Sequence, residues 1–236
     1  MKILGLDSAL EKSSVALADG GRVLGEFSAS MPREQLTWLI PAALDLLERL
    51  GTGFYDLEGI AVTSGPGSFT GLRLGLATAR TLAQVLSIPI AGFRTLDAIA
   101  QNAKGAAPLI CPVIDARKGE IFCALFTDSG KVLEKRTEDL ALKPEDLLKK
   151  LSSWSREGPV AILGNALRRY GEIIREGSLP GTVFPGEETW YPRASVLALM
   201  GEELISSGRG IPALELDAWY LRRPEAVVTW EKKHEP

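Results

Sequence analysis

The amino-acid sequence predicts an α/β protein in which one βββαβαβα unit occurs twice, and three observations carry that expectation. Two apolar runs end in aspartate, at Asp7 and Asp115, and each is followed nine and ten residues later by an Ala-Leu pair. Each run leads through a polar turn into a second apolar run, and then through a Gly-containing turn (DGG, DSG) into a third. Beyond these points helical and strand periodicities alternate in the same order in both halves, at an offset of 108 residues. Self-similarity on this scale describes an architecture rather than a local motif.

The elements follow in order. KILGLD, SSVALA and RVLGEFS read as a meander, with Asp19–Gly21 turning between the last two. REQLTWLIPAALDLLERLG places Leu36, Leu39, Ile40, Ala43, Leu46, Leu47 and Leu50 at helical spacing and stops at Gly51. LEGIAVTSG is a buried strand, TGLRLGLATARTLAQVLS a helix, IPIAGF a strand and TLDAIAQNA a helix. The second half repeats this with PLICPVID, IFCALF and a third strand, helix PEDLLKKLSSW, strand PVAILGN, helix ALRRYGEIIREG, short strand GTVFPG and helix RASVLALMGEELISSG. The expected organisation is a first unit over 1–103, a second over 104–221 and a polar tail over 222–236. Two such units facing across a cleft describe the duplicated ribonuclease-H-like fold of actin, Hsp70 and the sugar kinases (ASKHA), with helices covering both sheets.

Composition narrows the chemistry. The 236 residues are 45% apolar and carry net charge −3, with 8 Lys/Arg against 10 Asp/Glu in 1–103 and 19 against 20 in 104–236. Neither half offers the basic face that binding a polyanion requires; the only local basic cluster is Arg222, Arg223, Lys232 and Lys233. Cys111 and Cys123 form no C-x-x-C pair, the start lacks a signal-peptide core, and no apolar stretch has the length of a membrane span. A cytoplasmic protein is expected. His234 is the sole histidine, which leaves no histidine metal site and no Ser-His-Asp triad away from the last residues.

In ATPases of this architecture the hairpins after the first strand of each half hold ATP phosphates. Here they are DSALEKSS and DARKGE. Asp7, Ser8 and Asp115 stand at the corresponding cleft positions and are candidates for contacting a nucleotide and its Mg2+. Leu10 and Glu11 at one tip and Glu120 at the other suit phosphate poorly, since phosphate wants N–H, hydroxyl or cationic donors. The glycine-rich stretch TSGPGSFTGLR is not a Walker loop, because Leu72-Arg73 stand where lysine and a hydroxyl are required. It reads as a sharp turn from strand to helix, with Ser68 or Thr70 as the cap.

The helix it starts carries Gly71, Gly75, Ala79 and Ala83 every four residues, a smooth stripe that admits close approach of another helix, from residues 34–50 or from a partner. Trp38 stands off the core stripe of the preceding helix, a placement favoured at interface centres.

These residues resemble a known family. ILGLDSA…SSVAL, WLIPAALDLL, IAVTSGPGSFTGLRLGLATARTLA, VIDARKGEIF, LGNAL and YLRRPEA are similar, in order and over nearly the whole chain, to the TsaB (YeaZ) family of bacterial tRNA threonylcarbamoyladenosine synthesis. The resemblance implies a catalytically inactive relative of TsaD that binds TsaD through helices of its first half. It implies partner contacts at Leu36, Trp38, Leu39, Gly71, Arg73, Leu74, Gly75, Thr78, Ala79 and Leu82. TsaD, with TsaB and the ATPase TsaE, transfers a threonylcarbamoyl group to the adenosine beside the anticodon of tRNA. The chain itself would have no catalytic residue, no metal and no cofactor, with ATP or ADP bound only in the assembled complex, and would pair with itself when TsaD is absent. The metal of TsaD depends on an H-x-x-x-H helix that a chain with one histidine cannot supply. Family members often carry His-Ser where this sequence has Gln35-Leu36. The competing readings are a small-molecule kinase or ATPase of the same fold using Asp7 or Asp115, and a purely structural homodimer.

Overall fold

The computed structural model describes residues 1–30 and 35–222. The first sheet contains β1 (Ile3–Asp7), β2 (Lys12–Asp19), β3 (Arg22–Ser30), β4 (Gly59–Gly65) and β5 (Ile90–Arg94), in the order β3-β2-β1-β4-β5. The meander β1–β3 is antiparallel, and β4 and β5 continue from β1 in parallel. Strand periodicity divides the apolar residues between two faces. Leu4, Leu6, Val15, Leu17, Ile60 and Val62 form one core with helices α1 (Gln35–Arg49) and α2 (Phe69–Leu86). Ile3, Ala18, Ala61 and Ala91 face the other way, onto Leu197, Ala198 and Ile205.

In the second sheet β6 (Leu109–Arg117) is the central strand, with β11 (Val160–Leu163) parallel on one side. On the other side lie β7 (Glu120–Cys123) and β8 (Phe126–Asp128), antiparallel to it. The second strand read from the sequence is thus divided at Ala124-Leu125, where the Leu125 N–H donates to Thr137 Oγ1 instead of continuing the ladder. The third strand is divided with it, into β9 (Leu133–Lys135) on β8 and β10 (Leu140–Leu142) on β7. The expected strand GTVFPG is reduced to one bridge, Val183 to Ala161. Helices α4 (Pro144–Trp154) and α5 (Ala166–Glu176) follow the expected positions.

The packed units do not follow the two halves of the chain. Helix α3 (Thr95–Gln101), from the first half, places Leu96, Ile99 and Ala100 in the core of the second sheet. Helix α6 (Ala194–Ser206), from the second half, covers the back of the first. Its approach is close: a Cβ on Gly5 would lie 2.1 Å from the Ala194 carbonyl oxygen. This exchange of final helices fastens the lobes together. Of the expected polar tail, residues 223–236 lie outside the described residues.

Candidate functional site

Between the lobes lies a cavity of about 230 Å³, lined by Leu10 and Glu11 of the first hairpin, Asp115 and Arg117 of the second, Ser68 and Asn165. Of the three positions expected to face a nucleotide, only Asp115 lines it. Its Oδ1 accepts the Arg117 backbone N–H at 2.8 Å, and its other oxygen lies 3.7 Å from the Arg117 guanidinium. Asp7 and Ser8 are turned inward, which corrects their assignment to the cleft wall. Thr63 Oγ1 donates to Asp7 Oδ1 at 2.6 Å and the Ala9 N–H donates to the same oxygen at 3.2 Å, while Oδ2 has no partner among the described residues. Burial raises the Asp7 carboxyl to about 7, against the lowering by these hydrogen bonds. Ser8 Oγ donates to the Gly71 carbonyl at 2.8 Å.

Glu11 occupies the space between the hairpins. Asn165 Nδ2 donates to Glu11 Oε2 at 2.9 Å, Arg117 lies 3.7 Å from Glu11 Oε1, and Asn165 Oδ1 accepts the Asp115 N–H at 3.0 Å. Leu10 beside it is buried in the core of the second lobe. The tip residues Leu10 and Glu11 were legible as unsuited to phosphate; Asn165 as their counterpart was not, since nothing in its spacing marks it.

The glycine-rich stretch is built around close backbone approach. The Ser68 N–H donates to the Ala9 carbonyl at 2.7 Å, and a Cβ on Gly67 would stand 2.4 Å from that oxygen. Gly65 has φ +122° and lies against the Trp219 carbonyl, where the Trp219 N–H donates to Ser64 O at 2.7 Å. Ser68 caps α2, accepting the Gly71 N–H at 3.4 Å. The stretch therefore clamps the start of α2 between the first hairpin and the C-terminal segment.

The small stripe of α2 faces inward, which corrects the expectation that it receives a partner helix. Gly71, Gly75, Thr78 and Ala79 are buried, and a Cβ on Gly75 would lie 2.6 Å from Ser8 Oγ. The glycines bring the helix onto β4 and the first hairpin, and Ala79 and Ala83 belong to the first-lobe core. Leu39 is likewise buried. Trp38, Leu74 and Leu82 are half-buried against the first-lobe core, and the side chain of Leu36 lies outside the described set. Apolar side chains that do face outward on these helices include Ile40 (44% exposed), which stands at the helical spacing of the α1 stripe, together with Leu44 (49%) and Val85 (68%). Arg73 is exposed but engaged, its guanidinium 3.7 Å above the Phe69 ring and its Nε 3.4 Å from Tyr220 Oη. The chain after α6 thus straps along α2, a role not visible in YLRRPEA.

Two lobes of this topology, joined by exchanged helices across a cleft, place the chain in the duplicated ribonuclease-H-like (ASKHA) class. The Thermus thermophilus ROK hexokinase shares that fold, at TM-score 0.51 and 16% identity over 88% of this chain and all of that one. The chain belongs to the TsaB (YeaZ) family of tRNA threonylcarbamoyladenosine biosynthesis proteins. It is 31% identical to the Escherichia coli K12 tRNA threonylcarbamoyladenosine biosynthesis protein TsaB over 98% of both chains. It superposes on YeaZ from Pseudomonas aeruginosa with TM-score 0.80 and 26% identity, covering 93% of this chain and 99% of that one. The family model for TsaD, tRNA N6-adenosine threonylcarbamoyltransferase, matches residues 23–169. Among the described residues no helix is long and apolar enough to cross a membrane, and no group of His, Cys, Asp and Glu is arranged to hold a metal ion.

Proposed function

We propose that this chain is the non-catalytic partner subunit of a threonylcarbamoyladenosine-synthesising complex, binding and activating the transferase TsaD, with TsaE as the third component and tRNA engaged through the complex. The observation that carries this reading is the Glu11 carboxylate held between the two hairpins by Asn165 and Arg117. In ATPases of the fold that space belongs to phosphate; a fixed carboxylate there repels phosphate oxygens and uses the donors they would need. ATP or ADP then binds only at a site completed by the other subunits. The docking surface is the outer face of α1 and α2, where exposed Ile40, Leu44 and Val85 gain by being covered. In the absence of TsaD a second copy of the chain covers the same face. The kinase reading is disfavoured by the inward turn of Asp7 and Ser8.

The test compares ATP turnover and threonylcarbamoyladenosine formation for the chain alone, for TsaD with TsaE, and for all three together. Product should require the full set. Turnover by the chain alone at about 1 per second, abolished by Asp7→Ala, would return the molecule to the kinases.

A further inference from the structure

A second polar cavity, about 280 Å³, lies outside the cleft, between β2 and β3 on one side and the end of α3 and the segment before α6 on the other. We propose that it binds a free amino acid as its zwitterion, the ligand's two charges meeting the Lys12 ammonium on one wall and the Glu188 carboxylate on the other, neither of which has an ion-pair partner among the described residues. This inference is independent of the partner role.

Some polar groups lining the cavity already satisfy one another, and others do not. Arg193 and Glu26 neutralise each other, at 3.0 and 3.3 Å, and Glu26 Oε1 also accepts the Ser195 N–H. Lys12, half-buried at the start of β2, forms no ion pair with any described residue, and neither does Glu188, which is exposed at the opposite rim. Lys12 and Glu188 line one cavity yet are too far apart to pair with each other. Asn102, on the same wall as Glu188, holds that wall in place. Its Nδ2 donates to the carbonyls of Thr189 (3.0 Å) and Tyr191 (2.7 Å), which fixes the amide orientation. Its Oδ1 is then left buried without a donor among the described residues. On the Lys12 side Ser14 Oγ accepts the Ala194 N–H and keeps its own proton to give.

The vacant hydrogen-bonding capacity is therefore sorted. Donors, the Lys12 ammonium and the Ser14 hydroxyl, suit a carboxylate; the Glu188 carboxylate suits an ammonium. With Lys12, Arg193, Glu26 and Glu188 the charged lining sums to zero. A monoanion would meet two carboxylates and a monocation two basic groups, whereas a neutral molecule with separated charges meets neither penalty. The volume corresponds to about nine water molecules, enough for an α-amino acid with a small side chain. Because Asn102 ends α3 and Glu188 precedes α6, the ligand would bridge the two exchanged elements to the first-lobe meander.

The experiment is calorimetric titration of the full chain with the L-amino acids, and with the N-acetyl and carboxamide derivatives of each that binds. Lys12→Met and Glu188→Gln are titrated in parallel, with melting temperature as the folding control. At least one zwitterion is expected to bind saturably. Removal of either charge, from ligand or protein, should weaken binding about tenfold or more, as loss of a charged hydrogen bond does. Should one variant fail to fold, the other decides. Absence of binding by every amino acid up to about 10 mM overturns the proposal. So does equal binding of the blocked derivatives, or binding that a folded variant leaves unchanged.

Discussion

Asn165 Nδ2 donates to Glu11 Oε2 at 2.9 Å, so a strand end of the second lobe and a hairpin tip of the first hold each other across the cleft. Asn165 also receives the Asp115 N–H, and Arg117 lies on the far side of Glu11. A small latch thus stands between the two hairpins at the mouth of the cleft. Glu11 is one-third exposed, so its charged hydrogen bond is worth less than a buried one. Glu11→Ala is expected to lower unfolding free energy by about 1 kcal/mol, and Glu11→Gln, which keeps the acceptor, by less. Urea denaturation measures both. If Glu11→Ala matches the parent, the latch contributes nothing and the contact is incidental.

Substitution within the small stripe tests its direction. A Cβ at Gly75 meets Ser8 Oγ at 2.6 Å, and Ser8 is held by its bond to Gly71 O, so the helix must move away from the hairpin to make room. Gly75→Ala should cost about 1–3 kcal/mol, as overpacking does, and Gly75→Leu or Ala79→Leu more. Thermal melts of the isolated chain that stay at the parental temperature would show that the stripe is not packed inside.

The stripe also shows where sequence reasoning stops. Four small residues at helical spacing establish that something comes close, and the periodicity of Leu72, Leu76, Ala79 and Ala83 establishes a helix. Neither says whether the close neighbour is a partner helix or the hairpin beneath, because Ser8 is 63 residues away in sequence from the Gly71 oxygen it meets. The repeat, the meanders and the central strands were legible for the opposite reason: their signals are local. The exchange of α3 and α6 was hidden, since element order does not specify which sheet a helix covers. The reduced strand at Val183 and the divided strand at Ala124-Leu125 were hidden too, because apolar runs persist where the ladder lapses. In the cleft, Asp115 was placed and Asp7 was not, because strand ends that align in sequence differ in what lies above them.

The exposed apolar side chains give the complementary test. Ile40, Leu44 and Val85 each leave much of their surface to solvent, so replacing them with aspartate should change folding stability by no more than about 0.5 kcal/mol. If α1 and α2 dock TsaD, Leu44→Asp and Val85→Asp should weaken that association at least about tenfold, because a carboxylate buried at an apolar contact stays unpaired. Sedimentation with purified TsaD reads the affinity. Unchanged affinity in both variants places the interface elsewhere.

Asp7 supplies the last prediction, through pH. Its carboxyl is fully buried, hydrogen-bonded on one oxygen and without a partner among the described residues on the other, and burial raises it from 3.8 to about 7. The native chain therefore holds a proton on Asp7 across a range where the unfolded chain has lost it. Below about pH 4 both states are protonated and the contribution to stability is complete; between about 4 and 7 the native state binds more protons, so stability falls as pH rises. Above 7 both are ionised and the dependence ends, leaving a buried carboxylate supported chiefly by Thr63. Asp7→Asn should flatten the pH 4–7 slope and be no less stable than the parent at pH 8, because the amide carbonyl still accepts from Thr63 and no charge is buried. Thr63→Val should do the reverse, lowering stability most at pH 8, where the ionised acceptor is left with only the Ala9 N–H. Urea midpoints at pH 5 and pH 8 for the parent and both variants decide the matter. An Asp7→Asn slope parallel to the parent's assigns the pH dependence to other groups.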